Sequence, residues 1–389
     1  MSAGLLASSC SFPPTPQPHR GRPRASVPWL VLCLLSPLAA SNAAGEPTSL
    51  AAALPHPVPL IFETDLSGDC DDVGALAMIH HHIGLREADL LMIGVNRDEP
   101  TGSSAAAIDA INTYYGHGDI PIGTSHTGRS QTPRRSPYAA TLAREFPHDA
   151  RPDREMPDAV ALYRRTLAAA GDSSVVIVSV GGTTNLADLL DSPPDAVSSL
   201  DGTALVAQKV NRLVQMAGQF PDSRVRRAEA NMLIDPPGNR AVAERWPTPV
   251  VWSGWEVGAG IRTGQALQPL PATNPVRRAY ELHPGGGIAD DGRKLSSLQR
   301  GRPSWDQTAV LYGVRGAGPW FRVVPGRVVL GDASKHTSWQ TADEASGETR
   351  HAHLQLAVEP AVVAATIDGL MQPAGIEKRP EMQPPATPR

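Results

Sequence analysis

Val58-Pro59-Leu60-Ile61-Phe62-Glu63-Thr64-Asp65-Leu66-Ser67-Gly68-Asp69-Cys70-Asp71-Asp72 runs directly into a helical pattern over Val73–His82. The first five residues are apolar without alternation, which predicts a strand covered on both faces. Between strand and helix, Asp65, Asp69, Asp71 and Asp72 crowd into a short loop. A strand, an acidic loop and a helix read as the opening of a βαβ unit, in which ligands gather at the carboxyl end of the strand. Carboxylates this close repel one another at neutral pH, and the end of a buried strand is a costly place for charge. A bound divalent cation relieves both penalties. Oxygen donors favour calcium, magnesium or manganese over zinc, and flexible carboxylates with backbone carbonyls at hand favour calcium. An EF-hand does not fit, because Cys70 stands where that loop needs glycine and Leu76 where it needs glutamate.

Outward from this segment, apolar runs alternate with amphipathic ones. Strands are predicted at Asp89–Gly94, Ser174–Val180, Arg212–Ala217 and Val250–Ser253, and helices at Ser104–Tyr115 and Met156–Ala170. The alternation predicts an α/β fold, a doubly wound, mainly parallel sheet flanked by helices in a single domain. Gly116–Arg154 is polar, Pro-rich and aperiodic, and reads as a long loop or lid.

The 389 residues are 41% hydrophobic and 19% charged, enough for a large core. A net charge of −4, spread along the chain, lacks the basic footprint of a nucleic-acid binder. Only four of the basic residues are lysines (Lys209, Lys294, Lys335 and Lys378), which we read as genome composition. Arg20, Arg22 and Arg24 precede an apolar run, Val27–Ala40, and small residues at Ser41–Ala44. This is the pattern of a secretory signal over residues 1–43 with a long n-region, so an exported protein, periplasmic or secreted, is expected. The run is too short for a comfortable transmembrane helix, and no stable membrane insertion is expected after cleavage. Cleavage takes the formal charge to −7 and leaves Cys70 as the sole cysteine, so no internal disulfide forms. Residues 44–56 read as a linker, 57–371 as the α/β domain and 372–389 as a disordered tail.

Three further segments lie in order along the chain: Val180-Gly181-Gly182-Thr183-Thr184-Asn185 after a strand, Glu229-Ala230-Asn231 ahead of Asp235-Pro236, and Trp305-Asp306. With the acidic loop, they resemble the motifs of the inosine-uridine preferring nucleoside hydrolase family. The likeness is to a divergent branch with two extra residues between the first aspartate and the Asp-Asp pair, and it covers Val58 to Tyr312. It implies hydrolysis of the N-glycosidic bond of a ribonucleoside through an oxocarbenium-like transition state. It also implies one calcium ion per chain, and homodimers or homotetramers. Carried over by motif, Asp65 is the general base and a metal ligand. Asp72, Asp306 and the backbone carbonyl of Val180 complete the metal set. Asp71, Glu229 and Asn231 bind ribose, with Asn96 as a further candidate.

Some positions depart from the family. Trp305 stands where a histidine aids departure of the base; an indole stacks on a purine but delivers no proton. Glu63 stands where aspartate is usual. A catalytically weak or inactive calcium- and ribose-binding protein is therefore the alternative. A phosphatase with an aspartate nucleophile lacks a suitably placed lysine.

Other residues have plainer readings. His80–His82 are expected to be exposed at a helix end, and His351 and His353 to lie on a surface strand. Trp252 and Trp255 are expected in the core, or as a base-stacking wall. Gly285–Gly287 is expected as a flexible loop, and Arg134-Arg135 as solvated surface.

Overall fold

A computed structural model describes residues 56–66, 68–130, 132, 134–222, 228–342 and 350–374. The proposed signal, the linker up to Pro55 and the tail beyond Ala374 lie outside them. The chain runs β1 (Val58–Thr64), α1 (Asp71–Gly84), β2 (Ala88–Val95), α2 (Ser104–Tyr114), β3 (Ile122–Thr124), α3 (Ala139–Glu145), α4 (Ala159–Ala169), β4 (Val175–Ser179) and α5 (Thr184–Leu190). It continues through α6 (Gly202–Lys209), β5 (Val210–Met216), α7 (Pro236–Arg245), β6 (Val250–Ser253), α8 (Trp255–Gly258), β7 (Arg262–Thr263), α9 (Pro275–Leu282), β8 (Pro284–Ile288) and β9 (Lys294–Ser296). It ends with α10 (Ser297–Arg300), β10 (Arg302–Pro303), α11 (Trp305–Arg315), β11 (Phe321–Leu330), β12 (Thr337–Thr341), β13 (His351–Leu356) and α12 (Pro360–Leu370).

Among the described residues the main sheet has nine strands in the order β12-β11-β13-β6-β5-β4-β1-β2-β3. Within this sheet pairing is parallel from β3 through to β13, and the two pairs made by β11 are antiparallel. The chain winds outward from β1 to β3, then returns to lay β4, β5 and β6 on the other side. The winding therefore reverses between β1 and β4, where a doubly wound sheet opens a crevice at its carboxyl edge. Two apolar layers cover the sheet, one around Leu60, Phe62 and α1, the other around Ile61, Ile177 and Trp252. None of the helices in the described residues is long and apolar enough to cross a membrane.

Several expectations need correction. Gly116–Arg154 is not a bare loop: it holds β3 and α3, elements of three and seven residues, too short to show a period. The predicted helix Met156–Ala170 starts only at Ala159, because Asp158 caps it by accepting from Ala161 N and Pro157 precedes the cap. Gly285–Gly287 belongs to the β8–β9 ribbon. His80 and His82 are buried, as are eleven of the fourteen α1 residues, because α1 is enclosed by α2, α9, α11 and α12. His80 stacks on Tyr115 and His117 and meets Asn112 Oδ1 through Nε2; His82 Nδ1 meets Glu87. His351 and His353 lie on β13 as expected but are buried, since β11 and β12 extend the sheet past that strand and Trp339 packs on His353. Trp252 is fully buried core.

Beneath the crevice, the sheet encloses a carboxyl. Glu63, at the end of β1, is fully buried and accepts from Tyr163 Oη and Asn185 Nδ2, each at 2.7 Å. Burial pushes its pKa up to about 7. Gly94 on β2 makes the room, for a Cβ there would stand 2.0 Å from Glu63 Oε2. Gly94→Ala is therefore expected to destabilise the protein by about 1–3 kcal/mol. Adding the shorter Glu63→Asp should recover part of that loss. Urea unfolding of the two single variants and the double tests the coupling, and strict additivity would refute it.

Candidate active site

The carboxyl ends of β1, β2, β4 and β5 deliver Asp65, Asn96, Val180 and Met216 to one edge of the sheet. The helices α1 and α11 pack against each other there, and both begin with acids: Asp71 and Asp72 on α1, Asp306 on α11. A helix N-terminus carries partial positive charge and unpaired N–H groups, which favours a carboxylate in its first turn. Asp306 N lies 3.4 Å from Asp71 Oδ2, so one helix start touches the acid of the other.

Asp71, Asp72 and Asp306 are buried, and each places a carboxylate oxygen within 4.8 Å of the others. Burial, and then the neighbouring aspartates, hold all three carboxyls well above the usual carboxylate range. Thr64 Oγ1 donates to Asp72, as does Leu66 N at 3.2 Å. A set of three converging oxygens, short of positive charge, matches a hard divalent cation. Asp65 lines the same cleft beside this trio, with Oδ2 held by Arg97 Nη1 at 3.0 Å.

The Val180-Gly181-Gly182 turn passes close to β1. A Cβ on Gly181 would stand 2.6 Å from Asn96 Oδ1 and 2.8 Å from Asp65 N, so the turn needs glycine for the approach. Asn96 lies beneath the cleft rather than lining it: it is fully buried and accepts from Gly182 N at 3.0 Å. Asn231 Nδ2 donates to the carbonyls of Val180 (3.1 Å) and Met216 (3.0 Å), tying together the ends of β4 and β5. Glu229 accepts from the backbone N–H groups of Gly218, Asn231 and Met232, and burial raises its pKa to about 7. Asp235 caps α7 and accepts from Thr184 Oγ1 at 2.9 Å.

The cleft has a volume of about 990 Å³. Carboxylates floor it, and Trp255 and Trp305 form an aromatic wall with ring centroids 6.4 Å apart. The indole Nε1 of Trp305 donates to Trp255 O at 2.8 Å. Of the residues expected in the site, the cleft brings together Asp65, Asp71, Asp72, Val180, Glu229, Asn231, Trp305 and Asp306, and leaves Asn96 below. Arg134 is exposed, as expected of solvated surface, yet it lines the cleft. Sequence reasoning missed Thr64, Arg97 and Arg302. Thr64 was signalled only by its place beside Asp65, and the arginines by nothing in a chain rich in arginine.

A buried acidic trio at the winding reversal of a parallel sheet, opening on a cleft with an aromatic wall, suits a divalent cation and a small ligand. Residues 60–362 match the model of the inosine-uridine preferring nucleoside hydrolase family, and the chain belongs to that family. Its members are nucleosidases that depend on a metal. Solved structures share the fold. A plant nucleoside hydrolase superposes with a TM-score of 0.59 at 16% identity, covering 81% of this chain and 98% of its own. The inosine-uridine preferring nucleoside hydrolase of Bacillus anthracis gives 0.57 at 15%, covering 80% and 98%. The type III effector XopQ gives 0.59 at 16%, covering 82% and 95%. A search of curated protein sequences returns no significant match.

Removing one like charge should ease the buried trio. Asp306→Asn is expected to raise the melting temperature of the chelated protein by about 2 °C, the shift of roughly 1 kcal/mol in a large domain. The same change should abolish the further rise that calcium, magnesium or manganese gives the unaltered protein. Thermal melts with and without each cation test both effects. A variant still stabilised by cation would rule out this trio as the site.

Proposed function

We propose that this chain hydrolyses the N-glycosidic bond of a ribonucleoside or related riboside, releasing ribose and free base, with one calcium ion per chain. The observation that carries the reading is the convergence of Asp71, Asp72 and Asp306 in a cleft that Asp65, Val180, Trp255 and Trp305 also line. The oxygen-only donors of Asp65, Asp72, Asp306 and Val180 suit calcium. When bound, the ion supplies positive charge that makes a water more acidic.

Asp65 takes the proton of the attacking water as general base, and Arg97 fixes its orientation by holding Oδ2. Asp71 accepts from the ribose hydroxyls. Glu229 and Asn231 hold the ribose from the opposite side, and the backbone bonds that anchor both fix their position. Trp255 and Trp305 stack on the base and shield the reacting carbon from bulk water.

A second reading, a riboside-binding protein with little turnover, is favoured by Trp305 at the position of the expected histidine. XopQ, of the same fold, is known in complex with adenosine diphosphate ribose, so substituted ribosides belong in any substrate panel. We also propose export, on the strength of the Arg20–Ala44 pattern, and assembly into homodimers or homotetramers.

The decisive assay measures ribose released from a panel of ribosides, with and without chelator. The expected result is chelator-sensitive release that Asp65→Asn lowers at least ~100-fold, within the range of a lost general base. Asp306→Ala should lower release as well. Stoichiometric calcium binding with no release from any riboside would favour the binding-protein reading.

A further inference from the structure

A glycosidic bond breaks only if the departing base can carry away the bonding electrons. Among the described residues that line the cleft there is no histidine, lysine, cysteine or tyrosine to protonate it. The indole N–H of Trp305 is spent on Trp255 O. The oxygens of Glu229 accept from backbone N–H groups. Asp65 is the base and is held by Arg97, Asp71 receives the ribose hydroxyls, and Asp72 and Asp306 serve the cation.

Arg302 is placed differently. It stands on β10, three residues before Trp305, and its guanidinium lies over the Trp305 ring, 5.4 Å from the centroid. Nε and Nη2 both donate to the Asp69 carboxylate, the former at 2.7 Å. No hydrogen bond from Nη1 occurs among the described residues, and Arg302 lines the cleft. The group is thus a fixed cation on the aromatic wall, with Nη1 unpaired among the described residues. A guanidinium keeps its proton in proteins, so it acts on a leaving group by charge and hydrogen bonding alone.

We propose that Arg302 is the leaving-group residue of this enzyme, stabilising a base that departs as an anion, and that the preferred substrates are ribosides whose leaving groups bear negative charge readily. The inference rests on the hydrolase reading. In the step, the C1′–N bond breaks and its electron pair stays on the base nitrogen, facing Arg302. The water oxygen bonds to C1′ and its proton passes to Asp65. The released base then takes a proton from solvent. Asp69 serves as a positioning residue that locks the guanidinium on Trp305.

Two readouts on the full chain test this. In calorimetry, 4-nitrophenolate, at a pH above the phenol's own pKa, should bind at least ~10-fold more tightly than neutral 4-nitrobenzyl alcohol, a modest share of what a lost oxyanion donor costs. Arg302→Met should erase that preference, and Arg302→Lys should retain part of it. In kinetics, Arg302→Met should lower kcat/KM at least ~10-fold more for uridine and inosine than for 4-nitrophenyl riboside, whose leaving group needs little help. Should Arg302→Met fail to fold, Asp69→Asn takes its place: with the guanidinium no longer locked on Trp305 the anion preference should fall, and an unchanged preference would overturn the proposal. Equal losses on all ribosides with an unchanged anion preference would mean that Arg302 only pins the acidic loop, and would overturn the proposal. If the unaltered protein cleaved no riboside, the hydrolase reading would fall, and the anion preference would still decide whether Arg302 receives an anionic group.

Discussion

Three carboxylates drawn out of water at one point set the terms for the rest of this molecule. Asp71, Asp72 and Asp306 are buried together, and burial and mutual repulsion both disfavour their ionised forms. Such a cluster persists only where the surroundings supply positive potential. Here α1 and α11 aim their N-termini at it, and Thr64 and Leu66 donate to Asp72. The two outer aspartates are dealt with separately: Arg97 holds Asp65 and Arg302 holds Asp69. The guanidiniums thus sit on the rim, and the inner trio still calls for positive charge. This division lets one loop carry four aspartates without unfolding the end of β1.

The floor beneath the trio is as specific as the trio itself. Val180 N donates to Glu63 O at 2.8 Å, tying β4 to β1 just below the cleft. Glu63 spans to Tyr163 and Asn185, while Asn96 braces Gly182. These are buried polar groups arranged in a network, which stiffens a site when its members find partners and loosens it when they do not. The glycines at 94 and 181 leave the room that Glu63 and Asn96 occupy, for a Cβ at either would stand 2.0 Å or 2.6 Å from their side-chain oxygens.

Much of this was legible in the sequence. The strands β1, β2, β4 and β6 announce themselves as unbroken apolar runs, because both of their faces are covered. The acidic loop, the Gly-Gly turn, Glu229–Asn231 and Trp305–Asp306 could be read because each couples a chemical need to a fixed place after a strand or before a helix. Other features are set by tertiary structure. The pattern of α1 gives no hint that helices enclose it on several sides, so His80 and His82 read as exposed. The strand β11 carries Arg322, Pro325, Gly326 and Arg327 within a mixed pattern of burial, so neither alternation nor an apolar run marks it. Asn96 stands one residue past β2, where a ligand-binding side chain is expected, yet the close approach of Gly182 draws it inward. The role of Arg302 depends on Trp305 and Asp69 meeting in space, and in the sequence Asp69 is 233 residues away.

The strand β13 separates β6 from β11 and makes the last parallel pair of the sheet. It lies about a hundred residues after β6. During synthesis, therefore, β6 waits with one edge unpaired until His351–Leu356 has emerged, and β11 and β12 have no place to dock. An unpaired apolar edge is a template for pairing with another chain. The sheet thus stays open on one side until a segment about a hundred residues downstream of β6 arrives to close it.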